Sequence, residues 1–559
     1  MKSNCRVLIF LFFTTFLFSF QGFSKILAYS DNAQTQGVIL YVKPGSDGCC
    51  ANWNDACELQ TALDQAIVGS NTEIWVAAGT YKPITSDPDP RKATFQLKSG
   101  VAIYGGFPDT GEPTWAQRNW EENLTTLSGD LGNIGNKVDN SYHVVTGSGV
   151  DSTAILDGFT ITAGNANVSS SIQTGGGMHN IFGSPMLKNL MFTGNSADRG
   201  GGLYNSGGRP ILDNVTFSEN SATYAGGGMY NNNSSPFLTK VNFNANSADY
   251  SGGGMYNSGN SNPTLTNVTF NDNTAYIYGG GMTNWGSGRT TLNNVTFSGN
   301  SAQRGGGLYN YYIHLTMTNV TFSGNFASET GGGISNINSN ITVTNTTFFG
   351  NSATLMGGGI YNFKSNPQIT NAIIWGNTPD QIMDNSSTPS VNNSAIQGGY
   401  PGTGNIEADP LLGSLADNGG FNHTHSIDAS SPAIDTGSTA VCPVVDQRGY
   451  MRPIDGDGDG TALCDMGAYE YGASEIPDFA LTVEINGGGT VVKNPDKPSY
   501  QFGDVVTLTA KPDPAWNFSY WGGDIFATEN PLVVIITGNM STTAIFYKLP
   551  DTFLPFISR

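Results

Sequence analysis

A triple glycine recurs eight times between residues 175 and 362, and each copy is followed by Met, Leu or Ile, by one variable residue and by Asn. A second motif, Phe-x-x-Asn, recurs in phase with it. Self-similarity at a fixed period of roughly 20 to 50 residues is typical of stacked repeats, which bury their apolar faces only against their neighbours. The period therefore predicts a solenoid. The triplets begin at Gly175, Gly200, Gly226, Gly252, Gly279, Gly305, Gly331 and Gly357, and the second motif is Phe192/Asn195, Phe217/Asn220, Phe243/Asn246, Phe270/Asn273, Phe297/Asn300, Phe322/Asn325 and Phe348/Asn351.

One repeat, residues 252–272, shows how a unit of this solenoid folds. A short strand is predicted over 255–257, a corner at Asn267, and a second strand where Val268 and Phe270 alternate with a polar residue. No part of the repeat keeps the apolar period of about 3.6 that a helix requires, and glycine triplets disfavour a helical interior. We therefore predict an all-β fold, a parallel β-helix with about three short strands in each coil.

The Asn of the glycine motif falls at the same corner of every coil. Stacked Asn side chains can hydrogen-bond to one another along the axis, and Asn tolerates the left-handed backbone of a tight corner. The sequence therefore predicts an Asn ladder formed by Asn180, Asn205, Asn231, Asn257, Asn284, Asn310, Asn336 and Asn362.

A different set of Asn residues opens glycosylation sequons. We interpret these sequons as by-products of the repeat. They begin at Asn214, Asn267, Asn294, Asn319 and Asn345.

Tyrosines recur at the variable position between the apolar residue and the Asn of the glycine motif. By strand alternation they point outward, and rings about 4.8 Å apart on neighbouring coils would form a ladder. Two interpretations stay open, because the stacked rings either protect the sheet or form a flat platform for sugar rings. The candidate glycan face consists of Tyr204, Tyr230, Tyr256, Tyr309 and Tyr361.

Charge and targeting signals limit the classes of function. A net charge of -20 repels nucleic-acid phosphates and excludes nucleic acid as a partner. Lys2 and Arg6 precede an apolar run over 7–20, and the small residues Ala28 and Ser30 precede a cleavage point. This layout predicts a secretory signal peptide over 1–30. The run is shorter than the ~20 residues that span a bilayer, so any membrane association is expected through the cell envelope and not through a transmembrane helix.

Export permits disulfide bonds. Cys442 and Cys464 form the natural pair in the C-terminal part of the chain. Near the N-terminus Cys57 pairs with either Cys49 or Cys50, and the spacing leaves both pairings open.

Carboxylates alternate with glycines at Asp455, Asp457 and Asp459, which is the opening pattern of a calcium loop. The twelfth position, where a helix-loop-helix calcium site has Glu, is Met466. Asp465 is therefore predicted to complete the oxygen ligands, with Glu470 as the alternative. A calcium ion here would have a structural role.

The flanking regions resemble known exported proteins. Residues 38–165, with "YVKPGSDG", "IWVAAGTYKP", "GVAIYGGF" and "SYHVVTGSGVDSTAILDGFTITAGNAN", resemble the N-terminal region of secreted right-handed parallel β-helix proteins of the pectin-lyase-like class. The glycine and Phe-x-x-Asn motifs resemble the repeats of polymorphic outer-membrane proteins. Residues 405–472, with "ADPLLGSLADNGG", "DQRGYMRPIDGDGDG" and "CDMGAYE", resemble the choice-of-anchor region of exported bacterial proteins. The segment "YQFGDVVTLTAKPDPAWNFSYWGGD" is similar to internalin-type B repeats.

The pectin-lyase-like resemblance implies an enzyme only if Asp and basic residues cluster on adjacent coils. Arg199 and Arg304 hold the position before a glycine triplet, but they are four coils apart, and the chain has no Asp-Asp pair, Gly-His-Gly or Arg-x-Lys. We therefore expect no catalytic residues on the repeats.

The predicted function is that of an exported cell-surface β-helix protein, secreted or associated with the outer membrane, which works as a non-enzymatic adhesin or structural spacer. Its partners would be host or environmental glycans or cell-surface proteins. The alternatives are a polysaccharide-active lyase or glycosidase and a carbohydrate-binding protein. The predicted organisation is a signal peptide (1–30), an N-terminal cap with the first coils (31–170), the repeats (171–400), the anchor-type region (401–472), a small all-β module (476–548) and a tail (549–559).

Overall fold

The computed structural model describes residues 38–167, 173–476 and 478–548. The signal peptide predicted over 1–30 and the tail over 549–559 lie outside the described residues. The chain folds as the predicted parallel β-helix, with about 12 coils, and a small β module follows it. Strands at equivalent positions of successive coils pair in parallel, so the coils form three long sheets, here named sheets A, B and C.

Sheet A contains the longest strands. They are Ile39–Val42, Thr72–Ala77, Gly79–Tyr81, Val101–Phe107, Thr125–Ser128, Ile155–Thr162, Met186–Thr193, Ile211–Ser218, Phe237–Asn244, Thr264–Asn271, Arg289–Ser298, His314–Ser323, Ile341–Phe349, Gln368–Thr370, Ile373–Trp375, Ser390–Asn392 and Ala395–Ile396.

Sheets B and C complete each coil. Sheet B consists of Phe95–Gln96, Val145–Thr146, Met178–Ile181, Leu203–Ser206, Met229–Asn232, Met255–Gly259, Met282–Gly286, Leu308–Tyr311, Ile334–Ile337, Ile360–Phe363 and Ile382–Asn385. Sheet C consists of Asn165–Ala166, Ser196–Arg199, Ser221–Ala225, Ser247–Ala248, Thr274–Ala275, Ser301–Arg304, Phe326–Thr330 and Ser352–Ala353.

The predicted strand boundaries need two corrections. The strand predicted over 255–257 continues to Gly259. Asn267 does not separate two strands, because it lies inside the strand Thr264–Asn271. Its φ of 55° bends that strand without ending it. The corner predicted at Asn267 is therefore a bend within one strand.

One column in the interior of the β-helix is a continuous stack of Phe side chains. The seven Phe rings of the second motif lie 4.7–4.9 Å apart with their planes within 9° of parallel. In the register of sheet A, Phe270 pairs with Phe243 on one side and Phe297 on the other. These positions are fully buried, as the alternating pattern predicts.

The Phe stack explains the glycine triplets. A Cβ atom added to Gly254, the third glycine of its triplet, would lie 2.6 Å from the carbonyl oxygen of Gly281 and 2.9 Å from the ring of Phe270. The first glycine of the same triplet, Gly252, has a φ of +64°, which L side chains rarely adopt. The triplet therefore makes a corner that only glycine can occupy against the ring.

The predicted Asn ladder is present and fully buried. Each side chain from Asn180 to Asn336 donates from Nδ2 to Oδ1 of the next Asn over 2.6–3.2 Å, and Asn362 donates to Asp384. The Asn residues that open the predicted sequons Asn267, Asn294, Asn319 and Asn345 are also buried. These four side chains are therefore inaccessible to glycosylation, as the by-product interpretation expects.

A second Asn ladder was not predicted. It is formed by the Asn residues of the Phe-x-x-Asn motif, Asn195 to Asn351, and it ends at Asn377, with Nδ2 to Oδ1 distances of 2.8–3.0 Å. Each of these oxygens also accepts a backbone N–H from the preceding coil, as Asn273 Oδ1 does from Asn246 N at 3.0 Å. The two ladders satisfy the polar groups that the corners bury.

The N-terminal coils contain a short α-helix, Leu59–Gln65, whose Leu59 and Leu63 side chains join the main core. Short 3₁₀ turns are found at Trp53–Asp55, Pro90–Lys92, Trp115–Gln117, Lys137–Asp139 and Thr439–Val441. The disulfides are Cys50–Cys57 and Cys442–Cys464, so Cys57 pairs with Cys50 rather than with Cys49.

The anchor-type region folds back along the outer face of sheet A. It contains the hairpin Leu412–Ala416 and Thr424–Ile427. The side chain of Gln447 donates to the carbonyl oxygen of Val295 at 3.1 Å and accepts from the Thr321 hydroxyl at 2.6 Å. Asn345 donates to the carbonyl oxygen of Asp465 at 3.0 Å. This region therefore covers the coils that follow residue 264.

The C-terminal module covers the earlier coils of the same face. It has two three-stranded sheets around Trp521, which is fully buried, whereas the predicted core residues Trp516 and Phe518 are partly buried. Its Val505 packs on Met186 and Ile211 of sheet A, and Asp504 forms an ion pair of 3.2 Å with Lys240. The strands are Leu481–Asn486, Gly489–Asn494, Val505–Pro512, Trp516–Gly523, Leu532–Ile535 and Met540–Lys548.

Within the described part of the chain, no helix has the length and apolar character needed to cross a membrane.

Candidate functional site

The outer face of sheet B carries the recurring tyrosines. Met255 and Asn257 point into the core, so Tyr256 between them points outward, as predicted. Its ring stacks on Tyr230 at 5.0 Å, and Tyr230 stacks on Tyr204 at 5.4 Å. The column continues through His179 to His143, with ring spacings of 5.7 and 4.6 Å. It is interrupted at Thr283 and Ser335.

These stacked rings do not form an open platform. Tyr230, Tyr256 and Tyr309 are at most 8% exposed. A second aromatic row on the preceding corners, Tyr224 and Tyr250, lies beside them with its rings 5.2 Å apart. Because each ring covers its neighbour's face, a sugar ring can reach little more than their edges.

Burial also changes the acid-base properties of these tyrosines. It raises the pKa of the Tyr256 and Tyr309 hydroxyls well above the usual value of 10, and the neighbouring tyrosine hydroxyls raise it further. Both hydroxyls therefore stay protonated at physiological pH and do not act as bases.

A more accessible group of rings follows the interruption at Thr283. We name Trp285, Tyr311 and Tyr312 the aromatic patch, and Trp285 also contacts the rings of Tyr278 and of the buried Tyr309. The ring centroids of Trp285 and Tyr311 are 4.2 Å apart, and those of Tyr311 and Tyr312 are 4.6 Å apart. Tyr312 is 55% exposed. The patch therefore offers accessible ring surface that the earlier tyrosine column lacks.

Tyr361, the last member of the predicted face, lies two coils beyond Tyr309 and is half-buried. The side chain between them in register is Ser335. The structure therefore joins Tyr204, Tyr230 and Tyr256 in one column but leaves Tyr361 separate.

The two arginines beside the glycine triplets are held by neighbouring side chains. Arg304 Nε donates to Glu329 Oε2 at 2.6 Å, and the Arg199 guanidinium lies 4.9 Å from the centroid of the Tyr224 ring. Their four-coil separation is confirmed by the bridges that link their positions through Ala225, Ser251 and Tyr278. They do not share one site.

The predicted calcium loop brings together a different set of carboxylates. Oxygens of Asp435, Asp455 and Asp457 lie within 4.8 Å of one another. Asp459 and Asp465, which the sequence adds to the ligands, are not in this group. Asp435 is buried and accepts hydrogen bonds from Gly456 N at 2.7 Å and Asp457 N at 2.9 Å. Three carboxylates around one loop suit a hard cation, and the Cys442–Cys464 disulfide lies at the end of the loop.

Asp465 belongs to a buried ion-pair network behind this loop. It accepts from Tyr471 N at 2.6 Å, and its backbone N–H donates to Glu470. Glu470 is paired with Arg452 at 2.8 Å, with both side chains fully buried. Burial and the charge of Glu470 raise the pKa of Asp465 to about 7. A carboxyl group with such a pKa suits proton transfer, but a fully enclosed one has no access to a substrate.

A polar cleft of about 370 Å³ lies where sheet A, the anchor-type region and the C-terminal module meet. Its lining includes Lys240, Asn267 and the aromatic residues Phe421 and Tyr450. Both lining cations are paired, Lys240 with Asp504 and Arg448 with Asp446. The cleft could hold a small polar ligand, but its cations are already neutralised.

Two family profiles match parts of the chain. The Chlamydia polymorphic membrane protein repeat matches residues 294–311, 319–337 and 345–362, and the divergent InlB B-repeat domain matches residues 479–550. These matches confirm the resemblances of the glycine-triplet repeats and of the C-terminal segment. No curated protein is similar to the chain in sequence.

Solved structures that align with the chain include the following three, each at 12% identity. The pectate lyase Pel9A covers 78% of this chain and 96% of its own, with a TM-score of 0.35. A rhamnogalacturonan lyase covers 68% and 92%, with a TM-score of 0.30. The catalytic unit of a thermostable GH87 alpha-1,3-glucanase from Streptomyces thermodiastaticus covers 66% and 69%, with a TM-score of 0.29. Similarity at this level carries no argument about activity.

Proposed function

We propose that this chain is an exported β-helix protein of the bacterial cell surface, which works as an adhesin or spacer and has no catalytic activity. The matches to polymorphic membrane protein repeats and to a B-repeat module support a surface location. The anchor-type resemblance of residues 405–472 and the predicted signal peptide agree with export.

The observation that carries this proposal is that the outer faces of sheets A and B are occupied. The outer face of sheet A is covered by the anchor-type region and by the C-terminal module, through contacts such as Gln447 to Val295 and Val505 to Met186. The outer face of sheet B carries rings stacked on one another. A polysaccharide-cleaving enzyme needs an accessible acid and base within hydrogen-bond reach of one sugar. On the described part of sheet A, Lys188 and Asp213 share one register on adjacent coils, but they lie 3.8 Å apart as an ion pair and each side chain is less than one-third exposed.

The direct test of the non-enzymatic assignment uses polymeric substrates. The purified chain is incubated with pectate, alginate and rhamnogalacturonan, with and without calcium, and the products are followed by unsaturated-uronide absorbance and by reducing ends. We expect no product from any of them. Turnover that rises in proportion to protein concentration would overturn the assignment in favour of a lyase or glycosidase.

A contact surface for glycans is best supported at the aromatic patch. Trp285 and Tyr311 are partly exposed, Tyr312 is exposed, and aromatic rings with a polar tip suit partly wet contacts. We propose that the patch contacts neutral or uronic glycan chains weakly, while the solenoid presents it away from the cell.

This contact is tested by the triple variant Trp285→Ala/Tyr311→Ala/Tyr312→Ala. Binding to immobilised glycans should fall by ~10-fold, the effect of losing about 1.4 kcal/mol at a contact of hot-spot type. The control is Phe182→Ala, which removes an exposed aromatic ring elsewhere on the β-helix. Equal binding by the triple variant and the control would contradict the proposal.

We also propose that Asp435, Asp455 and Asp457 hold a structural calcium ion. Their mutual proximity supports this. Asp435 belongs to the segment that precedes the Cys442–Cys464 disulfide, so an ion would tie that segment to the loop.

A further inference from the structure

The loop at residues 129–141, near the N-terminal end of the β-helix, buries oxygen atoms that have no hydrogen-bond partner. They are Asp130 Oδ1, Asp139 Oδ1, Asn140 Oδ1 and Ser141 Oγ. Asn140 is 5% exposed and Ser141 is fully buried. Buried polar atoms are nearly always hydrogen-bonded, and a buried carboxylate oxygen without a partner is particularly unfavourable. Four such atoms lie in this one loop, so the loop itself does not supply the partners that its buried oxygens need.

The two carboxylates reach the same turn from opposite ends of the loop. The second oxygen of Asp139 accepts from Asn133 N at 3.0 Å, and the second oxygen of Asp130 accepts from Gly135 N at 3.4 Å. Asn133 and Gly135 are two residues apart, so both carboxyl groups are held close to one short segment. Their remaining oxygens are the unpartnered ones.

Ser141 is held next to the first of these carboxylates. Its backbone N–H donates to the Gly129 carbonyl oxygen at 2.8 Å and so closes the loop. A Cβ atom added to Gly129 would lie 2.7 Å from Ser141 Oγ. The hydroxyl therefore lies beside the residue that immediately precedes Asp130.

The loop is also inverted in polarity. Ile134 is 92% exposed and Val138 is 73% exposed, while the carboxylate oxygens are turned inward. Apolar burial would drive the opposite arrangement. One oxygen of each carboxylate thus faces inward while apolar side chains face solvent, an arrangement that a bound cation would stabilise.

No basic side chain of the described residues neutralises these carboxylates. The nearby Arg91 donates from Nε to the Asn140 carbonyl oxygen and from Nη2 to the Asn165 carbonyl oxygen, each at 2.7 Å. Neither Asp130 nor Asp139 takes part in an ion pair among the described residues. Lys137 of the same loop is exposed and forms no ion pair among the described residues, so the two carboxylates are left for a ligand to balance.

We propose that the loop 129–141 binds a calcium ion, with Asp130 and Asp139 as charged ligands and Asn140 Oδ1 and Ser141 Oγ as neutral ones. Two carboxylates balance a divalent charge, and an all-oxygen set in a flexible loop suits Ca²⁺ better than Mg²⁺ or Zn²⁺. The site is separate from the Asp435 cluster and goes beyond the proposed surface function. It would fix the cap to the first coils, because Ser141 O accepts from Asn165 N at 2.8 Å.

The test uses trypsin on the full mature chain, because the exposed Lys137 lies within the loop. Millimolar Ca²⁺ should slow cleavage after Lys137 by ~10-fold or more relative to chelator, since a ligand of the closed loop reduces its local opening. Mg²⁺ at the same concentration should protect less. Equal rates of cleavage with calcium and with chelator would overturn the proposal, and equal protection by Mg²⁺ would overturn the assignment to calcium.

The matched variants locate the effect. Asp130→Asn/Asp139→Asn should abolish calcium protection at Lys137, while the exposed pair Glu121→Gln/Glu122→Gln, with the same change of charge, should retain it. Asp455→Asn/Asp457→Asn should also retain it, which separates this site from the other cluster. Protection that persists in Asp130→Asn/Asp139→Asn would overturn the proposal.

A second measurement leaves the proposed calcium ligands unchanged, so it does not depend on whether a ligand variant folds. Terbium bound in the loop should give emission sensitised by the adjacent Tyr142, and calcium should displace it. In the Asp455→Asn/Asp457→Asn background, Tyr142→Phe should remove most of this emission, and unchanged emission would count against the site.

Discussion

Replacing Asn273 by alanine tests the inward Asn ladder that the sequence did not predict. Asn273 Oδ1 accepts from Asn246 N at 3.0 Å and from Asn246 Nδ2 at 2.9 Å. Its Nδ2 donates to the Phe243 carbonyl oxygen at 2.9 Å and to Asn300 Oδ1 at 3.0 Å. The side chain is fully buried, so water cannot replace it.

The magnitude follows from the groups that lose their partners. The amide of Asn246 still donates to Phe217 O, and Asn300 Oδ1 still accepts from Asn273 N. The Asn246 backbone N–H and the Phe243 carbonyl oxygen, however, lose these bonds. At about 1–3 kcal/mol for each buried group left unpaired, Asn273→Ala should lower the free energy of unfolding by about 2–6 kcal/mol.

The assay is urea unfolding followed by far-ultraviolet circular dichroism, with hydrogen exchange to identify the coils that open, because repeat arrays do not always unfold in one step. The control is Asn244→Ala, an exposed Asn of the neighbouring coil, which should change stability by about 0.5 kcal/mol or less. If the two variants have the same urea midpoint, the ladder does not stabilise the fold as argued.

Three further predictions follow from the same structure. Phe270→Ala should cost about 3–5 kcal/mol by opening the Phe stack, while Thr264→Ala on the outer face should cost little, as urea midpoints will show. Calcium should protect residues 405–472 from proteolysis in a way that Asp457→Ala abolishes, and calorimetry without heat at millimolar calcium would contradict that site. Burial, with the neighbouring His143, lowers the pKa of His179 to about 4. The unfolded chain therefore binds the additional proton, and stability should fall as the pH drops from about 6.5 towards 4. His179→Tyr, which keeps the ring column, should weaken that dependence in melting temperatures measured across this range.

The repeated part of the fold could be predicted because its constraints are local and recur. Phe270 alternates with polar residues, which predicts a strand with one buried face. The glycine triplet at Gly252 predicts a tight corner with a positive φ. The second ladder, which includes Asn273, was missed even though its motif was recognised. Asn is common next to turns, so the motif alone does not point to a ladder. Only the stacking of the coils shows that the Asn273 Oδ1 atom accepts from a backbone N–H of the neighbouring coil.

The candidate sites were less predictable because they depend on contacts between distant segments. Strand alternation correctly predicts that Tyr256 points outward. It does not predict that Tyr256 is buried, because the rings beside it, Tyr224 and Tyr250, come from a different corner of the coil. Asp435 joins Asp455 and Asp457 from outside the loop that the Cys442–Cys464 disulfide bounds, and no local motif marks Asp435. Asp465 was predicted to replace the missing twelfth ligand, yet it is held in the core because its backbone N–H donates to Glu470 and its carboxylate accepts from the backbone N–H groups of Tyr471 and Asp435. The covering of sheet A by the C-terminal segments has no sequence signal at all.

The central claim is that coils of about 26 residues stack in register along one axis. It is tested most directly by the distance between spin labels at Thr223→Cys and Thr354→Cys. Both sites are exposed and equivalent, five coils and 131 residues apart. At a coil spacing of about 4.8 Å the account predicts a narrow distribution centred near ~24 Å, plus the length of the labels. A pair at Thr223→Cys and Ser328→Cys should be shorter by about one coil spacing. A broad distribution, or two pairs that do not differ by one spacing, would contradict the stacked β-helix.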